Sequence, residues 1–123
     1  MKKVLIIDDS TTTRAVVKVY LSGHSLQFLE ASNGQDGLHL ARQELPAAII
    51  IDLKMPGMDG ITFCRRARAE TALKDIPIIL ITGSKGIDVR TEALRAGASV
   101  FLTKPIDVQT LAKIILSYVS GGG

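Results

Sequence analysis

Three short runs of this 123-residue chain are almost wholly apolar: Val4-Leu5-Ile6-Ile7, Ala47-Ala48-Ile49-Ile50-Ile51 and Ile76-Pro77-Ile78-Ile79-Leu80-Ile81. They are short and rich in β-branched residues, which argues for strands rather than helices. Their unbroken apolarity argues for burial on both faces, the condition of an inner strand in a parallel sheet with helices on either side. That condition narrows the fold class more than any other feature of the sequence. Two further segments, Leu26 to Ala31 and Ser99 to Leu102, mix polar and apolar residues and suit the edges of such a sheet.

Helical patterns separate the strands. They run over Thr11 to Leu21, Gln35 to Glu44, Gly60 to Ala69, Ile87 to Ala96 and Asp107 to Tyr118, with Gly23 and Gly97 as stop signals. Asp59-Gly60 reads as the cap of the third helix. The order is therefore β-α repeated five times, joined by right-handed crossovers. The first, third and fourth strands look buried, and the order 2-1-3-4-5 makes those three internal. The expected fold is α/β: a flavodoxin-like (βα)5 three-layer sandwich with its switch point between strands one and three. Residues 1–120 read as one domain and 121–123 as a flexible glycine tail, with Ser120 leading into it.

Composition removes several function classes. With one cysteine, the chain can form no internal disulfide and no cysteine-rich zinc site. Only Val4 to Ile7 separate the basic start from Asp8-Asp9, too short for a signal-peptide core or a membrane span. The expected setting is cytoplasmic. The net charge of +3 comes from scattered residues, and aromatics make up 4% with no Trp. That leaves few platforms for nucleic-acid bases, so direct nucleic-acid binding is not expected.

Sites in open α/β sheets form beyond the carboxyl ends of the strands. Strand one runs into Asp8-Asp9, strand three into Asp52, strand four into Thr82, and strand five, after Thr103, into Lys104-Pro105. Carboxylates gathered at one edge repel one another and stay ionised most easily around a cation. An all-oxygen donor set with few protein ligands suits Mg²⁺ (or Mn²⁺), which shares its shell with water and phosphate. A nearby lysine and a threonine hydroxyl suit phosphoryl oxygens. The sequence has no GxxxxGK[ST] loop, so the constellation points to phosphoryl transfer with a carboxylate as nucleophile.

Each motif alone has a plainer account. Asp8-Asp9-Ser10 serves as a helix cap, Asp52 before Met55-Pro56-Gly57 as a turn residue, Thr82-Gly83 as a cap, and Lys104-Pro105 as a helix start. Their joint placement after four strands of one sheet argues against four separate accounts. His24, His39 and Cys64 lack a ligand pattern and read as structural or solvent-facing, with Cys64 turned to the core.

The motifs Asp8-Asp9-Ser10, Asp52-Leu53-Lys54-Met55-Pro56-Gly57-Met58-Asp59-Gly60, Thr82-Gly83 and Lys104-Pro105 resemble those of the response-regulator receiver domain of two-component signalling. The opening that ends in Arg14 is similar to single-domain chemotaxis and twitching regulators. The resemblance implies that Asp52 is the phosphoacceptor. It implies Asp8, Asp9, Asp52 and the backbone carbonyl of Lys54 as the metal site, Asp8 acting mainly through water. It further implies Lys104, Thr82 and Gly83 around the phosphoryl group, Thr82 and Phe101 as a switch pair, and a cis bond before Pro105. Lys54 and Ser84 depart from the chemotaxis pattern, which has asparagine and glutamate there, and so bear on phosphoryl lifetime.

The implied function is a receiver that takes a phosphoryl group from a sensor histidine kinase or phosphotransfer protein. It would then change the face formed by the fourth helix, fifth strand and fifth helix toward an output partner, as a monomer or a phosphorylation-dependent dimer. Phe101 is expected to bury ring surface as Thr82 moves. The expected catalysis is limited to the chain's own phosphoryl transfer and dephosphorylation. The alternatives are an aspartyl-phosphate phosphatase of the haloacid dehalogenase type, disfavoured by Lys54 where a second acid belongs, and a pseudo-receiver that binds constitutively.

Overall fold

Strands and helices alternate through the chain: β1 (Lys2–Ile7), α1 (Thr11–Tyr20), β2 (Leu26–Ala31), α2 (Gly34–Glu44), β3 (Ala48–Asp52), α3 (Gly60–Ala69), β4 (Ile78–Thr82), α4 (Ile87–Ala96), β5 (Val100–Thr103) and α5 (Val108–Gly121). The structure, a computed structural model, describes residues 1–83 and 87–121. The strands form one sheet in the order β2-β1-β3-β4-β5, and every pairing is parallel. This is the flavodoxin-like order read from the sequence.

The helix starts follow from their caps. Ser10 Oγ accepts from the Thr13 amide, Asn33 Oδ1 from Asp36, Asp59 Oδ1 from Thr62 and Asp107 Oδ2 from Thr110, at 3.1, 2.8, 2.8 and 2.8 Å. Each satisfies an orphan donor of a first turn. Asp107 is therefore a cap outside the helix, and α5 starts one residue later than the apolar spacing suggested. Strand β4 begins at Ile78 rather than Ile76, because Pro77 has no N–H for the ladder and offers only its carbonyl, to the Ile49 amide at 2.9 Å. The tail needs correction. α5 includes Ser120 and Gly121, and the Ser120 hydroxyl donates to the Leu116 carbonyl one turn back. Gly122 and Gly123 lie outside the described residues.

The pleat divides the core into two layers. Leu5, Ile7, Ile49, Ile51, Ile78 and Leu80 face α2, α3 and α4, packing with Leu38, Phe63 and Ala93. Val4, Ile6, Ile50, Ile79 and Ile81 face α1 and α5, packing with Val17, Leu111 and Ile115. Cys64 is fully buried in the first layer, and burial pushes its thiol up to about 11, which makes it inert at neutral pH. His24 and His39 are exposed. No helix among the described residues is long and apolar enough to cross a membrane.

One side chain ties two loops together. Arg68, near the end of α3, donates to the carbonyls of Gly97, Leu73, Lys74 and Ile76 at 2.9, 3.2, 3.0 and 2.8 Å. Its stem fills the space beside Gly97, whose φ is +112° and where a Cβ would fall 2.4 Å from Arg68 Cγ. The α3–β4 segment and the end of α4 are thus held to one guanidinium. Replacing Arg68 with Met keeps the stem and strands these carbonyls, at a cost of about 2–3 kcal/mol. Urea unfolding is expected to show that loss. Arg68→Lys is expected to recover only part of it, because an ammonium lacks the planar fork.

Candidate functional site

The geometry of the site begins with strand register. Ile7 pairs with Ile51 across the β1–β3 ladder, so Asp8 and Asp52 follow at the same level of the sheet. The Asp8 amide extends the β1–β2 ladder by donating to the Ala31 carbonyl at 3.1 Å, and the Leu53 amide extends β3–β4 by donating to Ile81 at 2.8 Å. Gly60 allows α3 to start against this edge: a Cβ there would lie 2.8 Å from the Asp52 carbonyl oxygen.

Asp8, Asp9 and Asp52 each offer a carboxylate oxygen, and these oxygens lie within 4.8 Å of one another. Asp8 is 5% exposed, while Asp9 is open to solvent. The Asp8 carboxylate accepts from the Ser10 amide at 2.8 Å. Lys104 Nζ stands 3.6 Å from Asp52 Oδ1. Its backbone amide donates to the Thr82 carbonyl at 2.8 Å, so Lys104 is fixed to β4 as well as to β5. The Lys104–Pro105 peptide bond is cis.

Burial raises the pKa of Asp52 above the ordinary carboxylate value. Lys104 opposes that rise and the neighbouring acids add to it. Burial likewise raises Asp8, against the Ser10 hydrogen bond and Lys104, with Asp9 adding to the rise. Two partly desolvated acids next to a third are under-neutralised by one ammonium. The donor set fits a small, hard divalent cation: clustered oxygens, one acid on the solvent side, and no nitrogen or sulfur within the acidic group.

The remaining sequence candidates fall around this edge. Thr82 ends β4 and is 1% exposed. Gly83 follows it at the surface, and a Cβ there would meet nothing within 4 Å, so packing does not demand glycine. Lys54 lies in the turn after β3 with an exposed side chain. Ser84 lies outside the described residues. Phe101 pairs with Leu80 across the β4–β5 ladder and is 8% exposed, packed in the first core layer. The expectation that its ring has substantial surface still to bury is therefore corrected: edge position in the sheet did not mean exposure, because α4 covers that face.

One contact was not legible in the sequence. Arg14 reaches back from α1 to donate to the Asp8 carbonyl, and on to Glu30 Oε1 of β2 at 3.0 Å. Its partners come from separate elements, so only the β1–β2 pairing brings them together.

Comparison with known proteins agrees with this architecture. Residues 4–116 match the family described as the response regulator receiver domain. Protein PilH of Pseudomonas aeruginosa is 37% identical over 121 residues, covering 98% of this chain and all of PilH. Response regulator PleD of Caulobacter vibrioides is 37% identical over 105 residues, covering 85% of this chain and 23% of PleD. The chemotaxis protein CheY4 of Vibrio cholerae superposes with a TM-score of 0.88 at 30% identity, covering 96% of this chain and 98% of CheY4. A fold, an acidic edge and sequence relatives that agree over nearly the whole length leave one assignment: the chain belongs to the response regulator receiver domain family of two-component signalling.

Proposed function

We propose that the chain is a phosphorylation-operated switch in which Asp52 accepts a phosphoryl group from the phosphohistidine of a kinase or phosphotransfer partner. The carboxylate of Asp52 attacks phosphorus, the P–N bond breaks, and the released imidazole takes up a proton. Lys104 neutralises charge on the phosphoryl oxygens, and Thr82 donates its hydroxyl to one of them, with Gly83 leaving the approach open. Asp8, Asp9, Asp52 and the Lys54 carbonyl are the residues that would hold Mg²⁺, which when bound supplies positive charge for the transferring group. Thr82 and Phe101 relay the change to the face formed by α4, β5 and α5, where an output partner binds. Lys54 and Ser84 tune the lifetime of the acyl phosphate.

The observation that carries this reading is the approach of Lys104 Nζ to 3.6 Å from Asp52 within an acidic cluster whose oxygens lie within 4.8 Å. A nucleophile, a counter-charge and cation ligands thus share one corner. Beside it, a groove of about 250 Å³ is lined by residues including Val16, Tyr20, Lys104 and Ile106. Val16 and Val19 are 41% and 68% exposed on the adjoining helix. An apolar stripe next to Lys104 gives a helical phosphodonor a surface from which its histidine reaches Asp52.

Acetyl phosphate with Mg²⁺ is expected to add one phosphoryl group, as read by intact mass. Chelation of the metal, or Asp52→Asn, is expected to abolish it. Full labelling of Asp52→Asn would move the acceptor elsewhere. Thr82→Ala is expected to accept the group at Asp52 but to show reduced amide shift changes along residues 87–121 when treated with beryllofluoride. A full wild-type response would remove Thr82 from the relay.

The raised pKa values of Asp8 and Asp52 set a sign for stability. A folded state that binds protons more readily than the unfolded one is favoured below the ordinary carboxylate range and loses that advantage as pH rises through the raised values. At neutral pH the metal-free chain carries the whole penalty. Asp52→Asn in chelator is expected to be more stable than wild type by roughly 1–2 kcal/mol at pH 7, the scale of relieving one close like-charge contact beside a counter-ion. The gap should close as pH falls below the ordinary carboxylate range, and Mg²⁺ should stabilise the wild type more than the variant. Denaturant unfolding across pH, with and without Mg²⁺, checks both.

A further inference from the structure

Arg14 holds a position that the proposed chemistry does not use. Its side chain is 14% exposed, and its guanidinium meets three groups. One Nη donates to the carbonyl of Asp8, Nε donates to Glu30 Oε1 at 3.0 Å, and the other Nη approaches Thr11 Oγ1 at 3.3 Å. Glu30 is shared with Lys18, whose Nζ lies 2.8 Å from Oε2.

The Asp8 carbonyl belongs to the peptide that links Asp8 to Asp9. Rotation of that peptide turns the two carboxylates relative to each other. The Asp8 amide is held by Ala31, and the Asp8 side chain is held by the Ser10 amide. Arg14 supplies the remaining hold, and it is anchored through Glu30 to β2, whose register with β1 sets Glu30 opposite Ile6. We propose that Arg14 is a positioning residue for the cation site, fixing the Asp8–Asp9 peptide against edge strand β2 so that the two carboxylates converge before the cation arrives. This rests on the reading of the acidic cluster as a Mg²⁺ site.

The sign of the effect separates positioning from charge. Arg14 is cationic, so by Coulomb's law alone its removal should tighten binding of Mg²⁺. Loss of a preorganised ligand pair should weaken it. Calorimetric titration of metal-free protein with Mg²⁺ is expected to show about 10-fold weaker binding for Arg14→Ala, the low end of the roughly 10- to 100-fold seen when groups that orient metal ligands are removed. Arg14→Lys keeps the charge but lacks the fork that spans Asp8 and Glu30, and is expected to remain weakened. Glu30→Gln keeps an acceptor for Nε and is expected to stay near wild type.

Amide hydrogen exchange of the metal-free proteins reads the same anchor without the cation. Arg14→Ala should lose protection at Ser10 about tenfold or more while Leu5 and Ile50 stay protected. A folded Arg14→Ala that binds Mg²⁺ as tightly as wild type, or more tightly, overturns the proposal. Unchanged protection at Ser10 also overturns it. A wild-type chain that takes up no Mg²⁺ overturns the reading of the cluster as a metal site and the cation half of this proposal, and the exchange result then decides whether Arg14 fixes the peptide.

Discussion

Ile7 and Ile51 stand opposite each other in a parallel ladder, and the residue after each is an aspartate. Neighbouring strands are separated by about 4.8 Å, so the backbones that carry the two carboxylates cannot move apart without breaking the sheet. The repulsion between them, with Asp9 adding a third charge, is imposed by apolar pairing far from any charge. Much of what surrounds the edge offsets it. The Ser10 amide bonds Asp8, Lys104 faces Asp52, and Arg14 takes the Asp8 carbonyl. A sheet whose inner strands are buried on both faces is rigid enough to hold such a cluster closed, which is why the apolar runs and the acidic edge belong to one design.

The counter-charge arrives by a route with mechanical meaning. Lys104 follows β5, yet its side chain reaches past β4 to Asp52 on β3. Its amide is bonded to the Thr82 carbonyl at the end of β4. Any change of charge at Asp52 therefore pulls on an ammonium whose own backbone is fastened to Thr82. The three strand ends form a short, stiff chain of contacts, while Arg68 pins the far end of α4 through Gly97.

The strand order was legible because burial on both faces is written directly into residue type: Val4 to Ile7, Ala48 to Ile51 and Ile78 to Ile81 contain no polar side chain to misread. The acidic edge was legible for a related reason, since residues that end inner strands must share one side of the sheet. Two helix starts were displaced by a residue, in opposite directions: α5 because its cap, Asp107, has the composition of a first turn, and α2 because Gly34, its first residue, has the composition of a loop. Arg14 and Arg68 were not legible. Their partners are backbone carbonyls and a glutamate brought in by topology, and carbonyls leave no trace in a sequence. The burial of Phe101 was missed for another reason: a mixed strand at the sheet edge looks half-exposed until the helix that covers it is placed.

That burial changes where the driving force of a switch must come from. With 8% of Phe101 left exposed, completing its burial removes roughly 15 Å² of aromatic surface from water, about 0.4 kcal/mol. Moving a two-state equilibrium from 1:99 to 99:1 takes about 5.5 kcal/mol. The ring is short of that by an order of magnitude, so its burial cannot drive such a shift. What remains is electrostatic. Under the proposed chemistry a phosphoryl group on Asp52 would add roughly −1.5 to −2 charge beside the buried Asp8, the solvent-facing Asp9 and one ammonium. In a partly desolvated corner, a shift of a few tenths of an ångström in one unit-charge contact is worth about as much as the last of the ring's hydrophobic surface, and about twice as much against a charge near −2. The apolar core of this fold therefore supplies the rigid frame, and under the proposed function the work of switching would fall to the few charges at the ends of β1, β3 and β5.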